Sequence, residues 1–127
     1  MASNQDRPTL LRDQITKYLD RLRLPEEQRV YDVVGLEREA ALEYLAVLQK
    51  LHLAAIPFEN LTLHYSAHRQ ISLHPDELFK KVIADDNGRG GYCMENNGLF
   101  GTLLRSIGFT LYSAGARVLN NGIWSGW

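Results

Sequence analysis

A single cysteine, Cys93, follows a glycine-containing loop and stands at the start of a stretch whose apolar spacing predicts a helix over 93–107. The thiolate is the reactive form of cysteine, and the unpaired amide groups and positive end of a helix N-terminus stabilise it. Arg89 is a nearby source of positive charge, and Gly90 and Gly91 let the backbone pass close to a neighbour or a substrate. This arrangement is typical of nucleophilic catalysis through a thioester.

Position alone leaves a second interpretation open, because most lone cysteines in internal proteins are small buried hydrophobic residues. One thiol cannot form an internal disulfide. The four histidines are scattered, and none has structural-zinc spacing beside a second cysteine (His52, His64, His68 and His74). We therefore expect no metal site.

The composition is that of an ordinary globular protein. The chain has 127 residues, of which 45% are hydrophobic and 23% charged, with a net charge of −1. This length suits one compact domain with a real core. The near-neutral charge gives no reason to expect nucleic acid or an anionic membrane as a partner. The sequence also has no apolar stretch long enough to span a bilayer and no apolar secretory core at its start, so we expect a cytoplasmic protein.

Helical spacing predicts a first helix over 13–24, ended by Pro25, and a second helix over 36–52. The second helix is expected to bury one face (Leu42, Leu45, Leu48 and His52). A third helix is expected to start at Pro75, since proline suits the first helical position. The fourth helix, over 93–107, has Gly108 at the position after its C-cap.

After Gly108 the pattern changes from helical to extended. Residues 109–114 and 116–119 read as strand, residues 120–122 as a turn, and residues 123–127 as the start of a return. One strand and the start of its return make no stable sheet by themselves, so we expect the chain to be part of a longer protein.

Two separated motifs carry a resemblance to a known family. The segment Arg89-Gly90-Gly91-Tyr92-Cys93, followed by Glu95 and Asn97, resembles the active-site signature of arylamine N-acetyltransferases. The segment Ile56-Pro57-Phe58-Glu59-Asn60-Leu61 is similar to the other hallmark of that family, and it occurs in the right order. The likeness spans roughly residues 18–118, and two motifs in order are far more specific than either alone.

The resemblance implies an α+β fold. Members of the family have a helical first domain with the active-site cysteine at a helix N-terminus, a β-barrel second domain and an α/β lid, in an arrangement like that of cysteine proteases. Residues 1–107 would form the helical domain, and residues 108–127 would begin an incomplete β-barrel. In the family a histidine and an acid that complete the catalytic triad follow the first strand of the second domain. No histidine follows Cys93 here.

The resemblance also implies an activity in xenobiotic metabolism. An acetyl group from acetyl-CoA, or a propionyl or malonyl group from the corresponding CoA ester, would form a thioester on Cys93. It would then pass to an arylamine, a hydrazine or an N-hydroxyarylamine. Acyl-CoA is a co-substrate, and no permanently bound cofactor is expected. Phe58 and Tyr92 would line the acceptor pocket, and other residues of the motifs would support the loop (Glu59, Arg89, Gly90, Gly91 and Asn97). Among these, Glu59 and Arg89 would form a charged pair that steadies the loop.

Two other functions stay open. The chain could be a truncated, catalytically inactive fragment or paralogue that acts as a binding or regulatory protein. It could also be a different thiol enzyme, such as a papain-like hydrolase with an upstream histidine as its base, although the two motifs argue against this. We expect His52 to be a hydrogen-bonded packing residue rather than a base.

Overall fold

The computed structural model describes residues 9–59, 73–84, 89–112, 114–117, 119–120 and 122–124. His64, His68, Asn60 and Trp127 lie outside the described residues, as do residues 85–88. The elements in chain order are α1 (Arg12–Arg21), a 3-10 turn (Glu26–Gln28), α2 (Arg38–Ala55), α3 (Pro75–Phe79), a π-helical turn (Lys80–Ala84), α4 (Cys93–Ser106), β1 (Leu119–Asn120) and β2 (Ile123–Trp124).

Helix α1 ends before the predicted residue 24. Arg23 adopts a left-handed conformation with φ of 60°. Its amide donates to the Asp20 carbonyl, and the Leu24 amide donates to the Leu19 carbonyl at 3.1 Å. These bonds satisfy the carbonyls of the last turn and reverse the chain before Pro25 is reached. The reversal buries Leu24, so the helix is ended by its own cap and by packing of the residues that follow.

Helix α2 was expected to bury Leu42, and this expectation is wrong, because 64% of the Leu42 side chain is exposed. The buried face is instead formed by Tyr44, Leu48 and His52, which recur every four residues. Both Leu42 and Tyr44 are compatible with helical spacing. The large Tyr44 ring reaches the core, and its hydroxyl accepts a hydrogen bond from the Val30 amide.

Helix α3 begins as predicted, with Pro75 at its first position and His74 as its N-cap. It continues directly into the π-helical turn Lys80–Ala84. Leu78 and Phe79 from α3 and Val82 and Ile83 from the turn are buried. Such π-helical turns are rare and often accompany functional sites.

Helix α4 begins at Cys93 and ends one residue before the predicted end. Gly108 has φ of 107°, a left-handed conformation that favours glycine, which confirms its place after the helix cap. The amide of Phe109 donates to the carbonyl of Leu104 and closes this end. Leu99, Thr102 and Leu103 face the core.

The prediction of a strand from Phe109 onward is wrong for the described residues 109–112 and 114–117, although Leu119 at its end does lie in a strand. Regular extended structure starts only at Leu119, where β1 pairs antiparallel with β2 through Leu119 opposite Trp124 and Asn120 opposite Ile123. Gly122, with φ of 79°, lies in the predicted turn. A strand needs a neighbour for its backbone groups, and no strand among the described residues pairs with 109–117. The β-barrel and the cysteine-protease-like arrangement stay predictions, as does the division at residue 107.

One hydrophobic core joins the helices. Its fully buried side chains come from α1, α2, α3, the π-helical turn and α4 (among them Tyr18, Leu19, Leu48, Leu78, Val82, Leu99 and Leu103). No helix within the described ranges combines the length and the apolar character that crossing a membrane requires.

Candidate active site

The backbone joins the two motifs side by side. The Glu59 amide donates to the Gly91 carbonyl at 3.1 Å, and the Gly91 amide donates to the Pro57 carbonyl at 3.2 Å. Phe58 and Gly91 thereby form a short parallel bridge. The segment that ends at Glu59 and the loop before Cys93 are thus in direct contact, although about 30 residues separate them in sequence.

The two glycines of the signature are required by close neighbours. A Cβ atom at Gly90 would overlap the carbonyl oxygen of Pro57. A Cβ atom at Gly91 would lie 2.7 Å from Oε1 of Glu95. The close approach expected from the sequence is therefore an approach to the protein's own backbone and to a side chain of α4.

Asn96 fastens the loop from the side of the helix. Its Nδ2 donates to the carbonyl oxygens of Gly91 at 3.1 Å and Pro57 at 3.3 Å. Asn97, which was expected to support the loop, is exposed, and no side-chain hydrogen bond of Asn97 is found within the described parts of the chain. The role predicted for Asn97 stays a prediction, whereas the observed support comes from Asn96.

Four charged side chains form a continuous network beneath the loop. Arg89 Nε donates to Oε2 of Glu59 at 2.9 Å, so the expected pair is formed. Lys81 Nζ donates to Oε2 of Glu95 at 2.6 Å and lies 3.7 Å from Oε1 of Glu59. The side chain of Glu95 is 2% exposed and that of Glu59 is 13% exposed. Two cations balance two largely buried carboxylates.

Cys93 is the first residue of α4 and is exposed. The Tyr92 amide just before it donates to Oε1 of Glu95 at 3.0 Å, which satisfies one of the unpaired amides of the helix start. The thiol thus stands at the positive end of a helix of 14 residues, on a loop held at several points. This geometry can support a thiolate nucleophile that is open to a substrate.

An aromatic surface lies next to Cys93. The rings of Phe58 and Tyr92 have centroids 5.4 Å apart and an angle of 42° between their planes. Phe58 is 64% exposed and Met94 is 65% exposed, while Tyr92 is half-buried. The two residues predicted to line an acceptor pocket are in contact, and a flat aromatic molecule could stack on them.

His52 is buried in the core. Its Nδ1 lies 3.1 Å from the Tyr18 hydroxyl, and its ring stacks on Phe100 with centroids 4.6 Å apart. Burial lowers the pKa of His52 to about 4, the Arg21 charge adds to this shift and the Asn96 backbone opposes it. The Asn96 backbone favours the protonated ring of His52, yet Nε2 of His52 makes no hydrogen bond of good geometry to any described residue. These contacts fit the predicted packing role.

The described residues also form a pocket at a place other than the site around Cys93. A shallow pocket of about 350 Å³ is lined by residues such as Leu36, Tyr44 and Val47 and by none of the predicted site residues. Within the described ranges, no group of three or more His, Cys, Asp or Glu side chains could hold a metal ion.

Sequence reasoning assigned no role to Lys81, Glu95 or Asn96. The spacing from Tyr92 to Glu95 is that of an N-cap residue and the acid three positions later, a signal that could have indicated the bond to the Tyr92 amide. No local signal marks Lys81, because its partners lie on other segments of the chain.

Comparisons with known proteins bear on this site. A family model described as N-acetyltransferase matches residues 41–123, which include both motifs. The chain is 40% identical over 118 residues to the N-malonyltransferase FDB2 of Fusarium pseudograminearum, a match that covers 87% of this chain and 33% of that protein.

Two further relatives are named for acetyl transfer. The chain is 38% identical over 79 residues to the pineal gland arylamine N-acetyltransferase isozyme NAT-10 of Gallus gallus, covering 62% of this chain and 26% of that protein. It is 44% identical over 78 residues to the arylamine N-acetyltransferase / N-hydroxyarylamine O-acetyltransferase of Salmonella typhimurium, covering 61% and 26%. The chain therefore spans a third or less of the length of these relatives.

Proposed function

Because this chain belongs to the arylamine N-acetyltransferase family, we propose that Cys93 carries an acyl group from acyl-CoA to the nitrogen of an arylamine, a hydrazine or an N-hydroxyarylamine. The observation that supports the proposal most is the position of Cys93. The thiol is exposed at the first residue of α4, directly after a loop that backbone and side-chain hydrogen bonds hold in place.

The proposed reaction has two steps. The Cys93 thiolate attacks the carbonyl carbon of the acyl-CoA thioester, the bond from that carbon to the CoA sulfur breaks, and CoA leaves as a thiol after taking up a proton. The acceptor nitrogen then attacks the new thioester on Cys93. The carbon–sulfur bond breaks, the nitrogen loses a proton to a base, and the thiolate is restored.

The base is a histidine in the family's mechanism. All four histidines of the chain precede Cys93, and the buried His52 is bonded to Tyr18. We therefore assign the base and its acid partner to the part of the relatives' length that this chain does not span. The opening of a β-barrel at 108–127 is part of the same proposal.

The remaining motif residues have supporting roles in the proposal. Phe58 and Tyr92 form the aromatic surface on which the acceptor stacks. Glu59, Arg89, Gly90 and Gly91 hold the loop that precedes the nucleophile. The relatives include a malonyltransferase as well as acetyltransferases, so the donor is acetyl-CoA or malonyl-CoA.

Intact-protein mass spectrometry tests the proposal. The protein that contains these 127 residues is incubated with acetyl-CoA or malonyl-CoA and no acceptor. It should gain the mass of one acyl group, and adding an arylamine should remove that group. Competition between the two donors then ranks them.

Cys93→Ser is the decisive control, since a serine hydroxyl is far harder to ionise than a thiol. Acyl loading should disappear in this variant. An acyl group that maps to another residue, or unchanged acceptor turnover by the serine variant, would show that Cys93 is not the nucleophile.

A further inference from the structure

Lys81 lies between two carboxylates that belong to different parts of the site. Its ammonium group donates to Glu95 at 2.6 Å and lies 3.7 Å from Glu59. The Lys81 side chain is 16% exposed, so most of its length is covered by protein. The ion pair between Lys81 and Glu95 differs from a surface ion pair, because little solvent screens the interaction of the ammonium group with a carboxylate that is 2% exposed.

The two carboxylates have different tasks. Glu59 receives Arg89 from the loop, and its own amide is bonded to Gly91. Glu95 accepts the hydrogen bond of the Tyr92 amide, directly before the cysteine. Lys81 thus connects the carboxylate of the first motif with the carboxylate that caps the helix carrying Cys93.

Charge balance makes this connection important for the thiol. Glu95 is two positions after Cys93 in the first turn of α4. A buried carboxylate without its cation would either remain as an unpaired negative charge or bind a proton. An unpaired negative charge would oppose a thiolate at the same helix end, and a protonated Glu95 would accept the hydrogen bond of the Tyr92 amide less strongly than a carboxylate does. Lys81 prevents both.

The local fold presents Lys81 for this task. The residue lies in the π-helical turn that continues α3, next to the buried Val82 and Ile83. Its neighbour Lys80 has the same charge and is exposed. The two lysines therefore differ in burial and in partners, which provides a matched pair for experiments.

We propose that Lys81 is a positioning residue for Cys93: it neutralises the buried Glu95, holds this carboxylate against the Tyr92 amide, and so keeps the start of α4 favourable to the thiolate. This inference rests on the proposed function in naming Cys93 as the nucleophile. It extends that function by assigning a second layer of residues that tunes the nucleophile without touching a substrate.

Alkylation of Cys93 by iodoacetamide tests the inference without acyl transfer. Cys93 is the single cysteine of these 127 residues, and mass mapping of the alkylated peptide assigns the modified thiol. Rates are measured from about pH 6 to about pH 9 in wild type, Lys81→Met, Lys81→Arg and Lys80→Met, all under conditions where circular dichroism shows them folded. Lys81→Met should react about tenfold more slowly near neutral pH, with its rate profile moved to higher pH. Lys80→Met and Lys81→Arg should stay within about twofold of wild type.

A double variant separates charge from folding. Lys81→Met combined with Glu95→Gln removes both charges, so its rate should return to within about threefold of wild type even if Lys81→Met alone fails to fold. Equal rates for folded Lys81→Met and Lys80→Met, or a double variant as slow as Lys81→Met, would overturn the inference. If wild type loads an acyl group on Cys93 but Lys81→Met is alkylated at the wild-type rate, this inference is wrong and the proposed function stands. Slow alkylation of Lys81→Met in a protein that never loads acyl groups would refute only the proposed function.

Discussion

The hydroxyl of Tyr18 lies 3.1 Å from Nδ1 of His52, and both side chains are buried. Burial raises the pKa of Tyr18 well above its ordinary value and lowers the pKa of His52 to about 4. Both groups are therefore neutral in the folded protein near neutral pH. The pair links α1 to α2, and the stacking of His52 on Phe100 extends the link to α4.

The buried histidine predicts a loss of stability in mild acid. The unfolded chain binds a proton at His52 near pH 6.5, whereas the folded protein does so only near pH 4. Stability is therefore fully present above about pH 6.5 and falls as the pH decreases toward about pH 4. The expected loss from this group is about 2 kcal/mol between pH 7.5 and pH 5.0.

Urea unfolding at both pH values measures this loss. His52→Gln keeps a hydrogen-bonding side chain but does not titrate, so the difference between wild type and variant isolates His52. If the two proteins lose the same free energy of unfolding between the two pH values, the buried histidine does not control acid stability.

Gly90→Ala should destabilise the protein because the new methyl group would overlap the Pro57 carbonyl. Relief of that overlap would separate the segments that the Gly91 amide and the Pro57 carbonyl join. We expect a cost of about 1–3 kcal/mol in the free energy of unfolding, together with slower alkylation of Cys93.

Gly98→Ala is the matched control for this substitution. Its Cβ would meet only Leu78 Cδ1 at 3.9 Å, an ordinary contact, and alanine favours a helix over glycine by about 1 kcal/mol. Gly98→Ala should thus be neutral or stabilising. Equal costs for the two substitutions, measured by denaturant unfolding, would contradict the steric argument.

Asn96→Ala should cost about 1–2 kcal/mol because it removes the donor to the Pro57 and Gly91 carbonyls. Asn97→Ala should change stability by less than about 0.5 kcal/mol, since the Asn97 side chain is exposed. Thermal unfolding of both variants makes the comparison. A larger loss of stability for Asn97→Ala than for Asn96→Ala would indicate that Asn97 supports the loop, as the sequence motif predicted.

Removing the Arg89 charge should destabilise the protein less than breaking an isolated buried ion pair would. Breaking such a pair by removing one partner costs about 3–5 kcal/mol in the free energy of unfolding. Here Lys81 remains 3.7 Å from Glu59 and the Arg89 side chain is 28% exposed, so we expect about 1–2 kcal/mol for Arg89→Met. A double-mutant cycle with Glu59→Gln should give a coupling energy of about 1 kcal/mol. Additive effects in the cycle would mean that the pair contributes nothing.

The features of this protein that depend on neighbours along the chain follow from its sequence. The start of α3 at Pro75, the start of α4 at Cys93 and the left-handed Gly108 follow from local backbone preferences. The two motifs also indicated the family and the pairing of Glu59 with Arg89.

The buried face of α2 and the residues that support the site depend on contacts between segments that are distant along the chain. Tyr44 rather than Leu42 faces the core, because the choice depends on the helices packed against α2. Lys81 joins Glu95 across a gap of 14 positions, and Asn96 reaches the Pro57 carbonyl across 39. Spacing rules describe contacts within one helix or one turn, whereas these contacts arise when separate segments pack together.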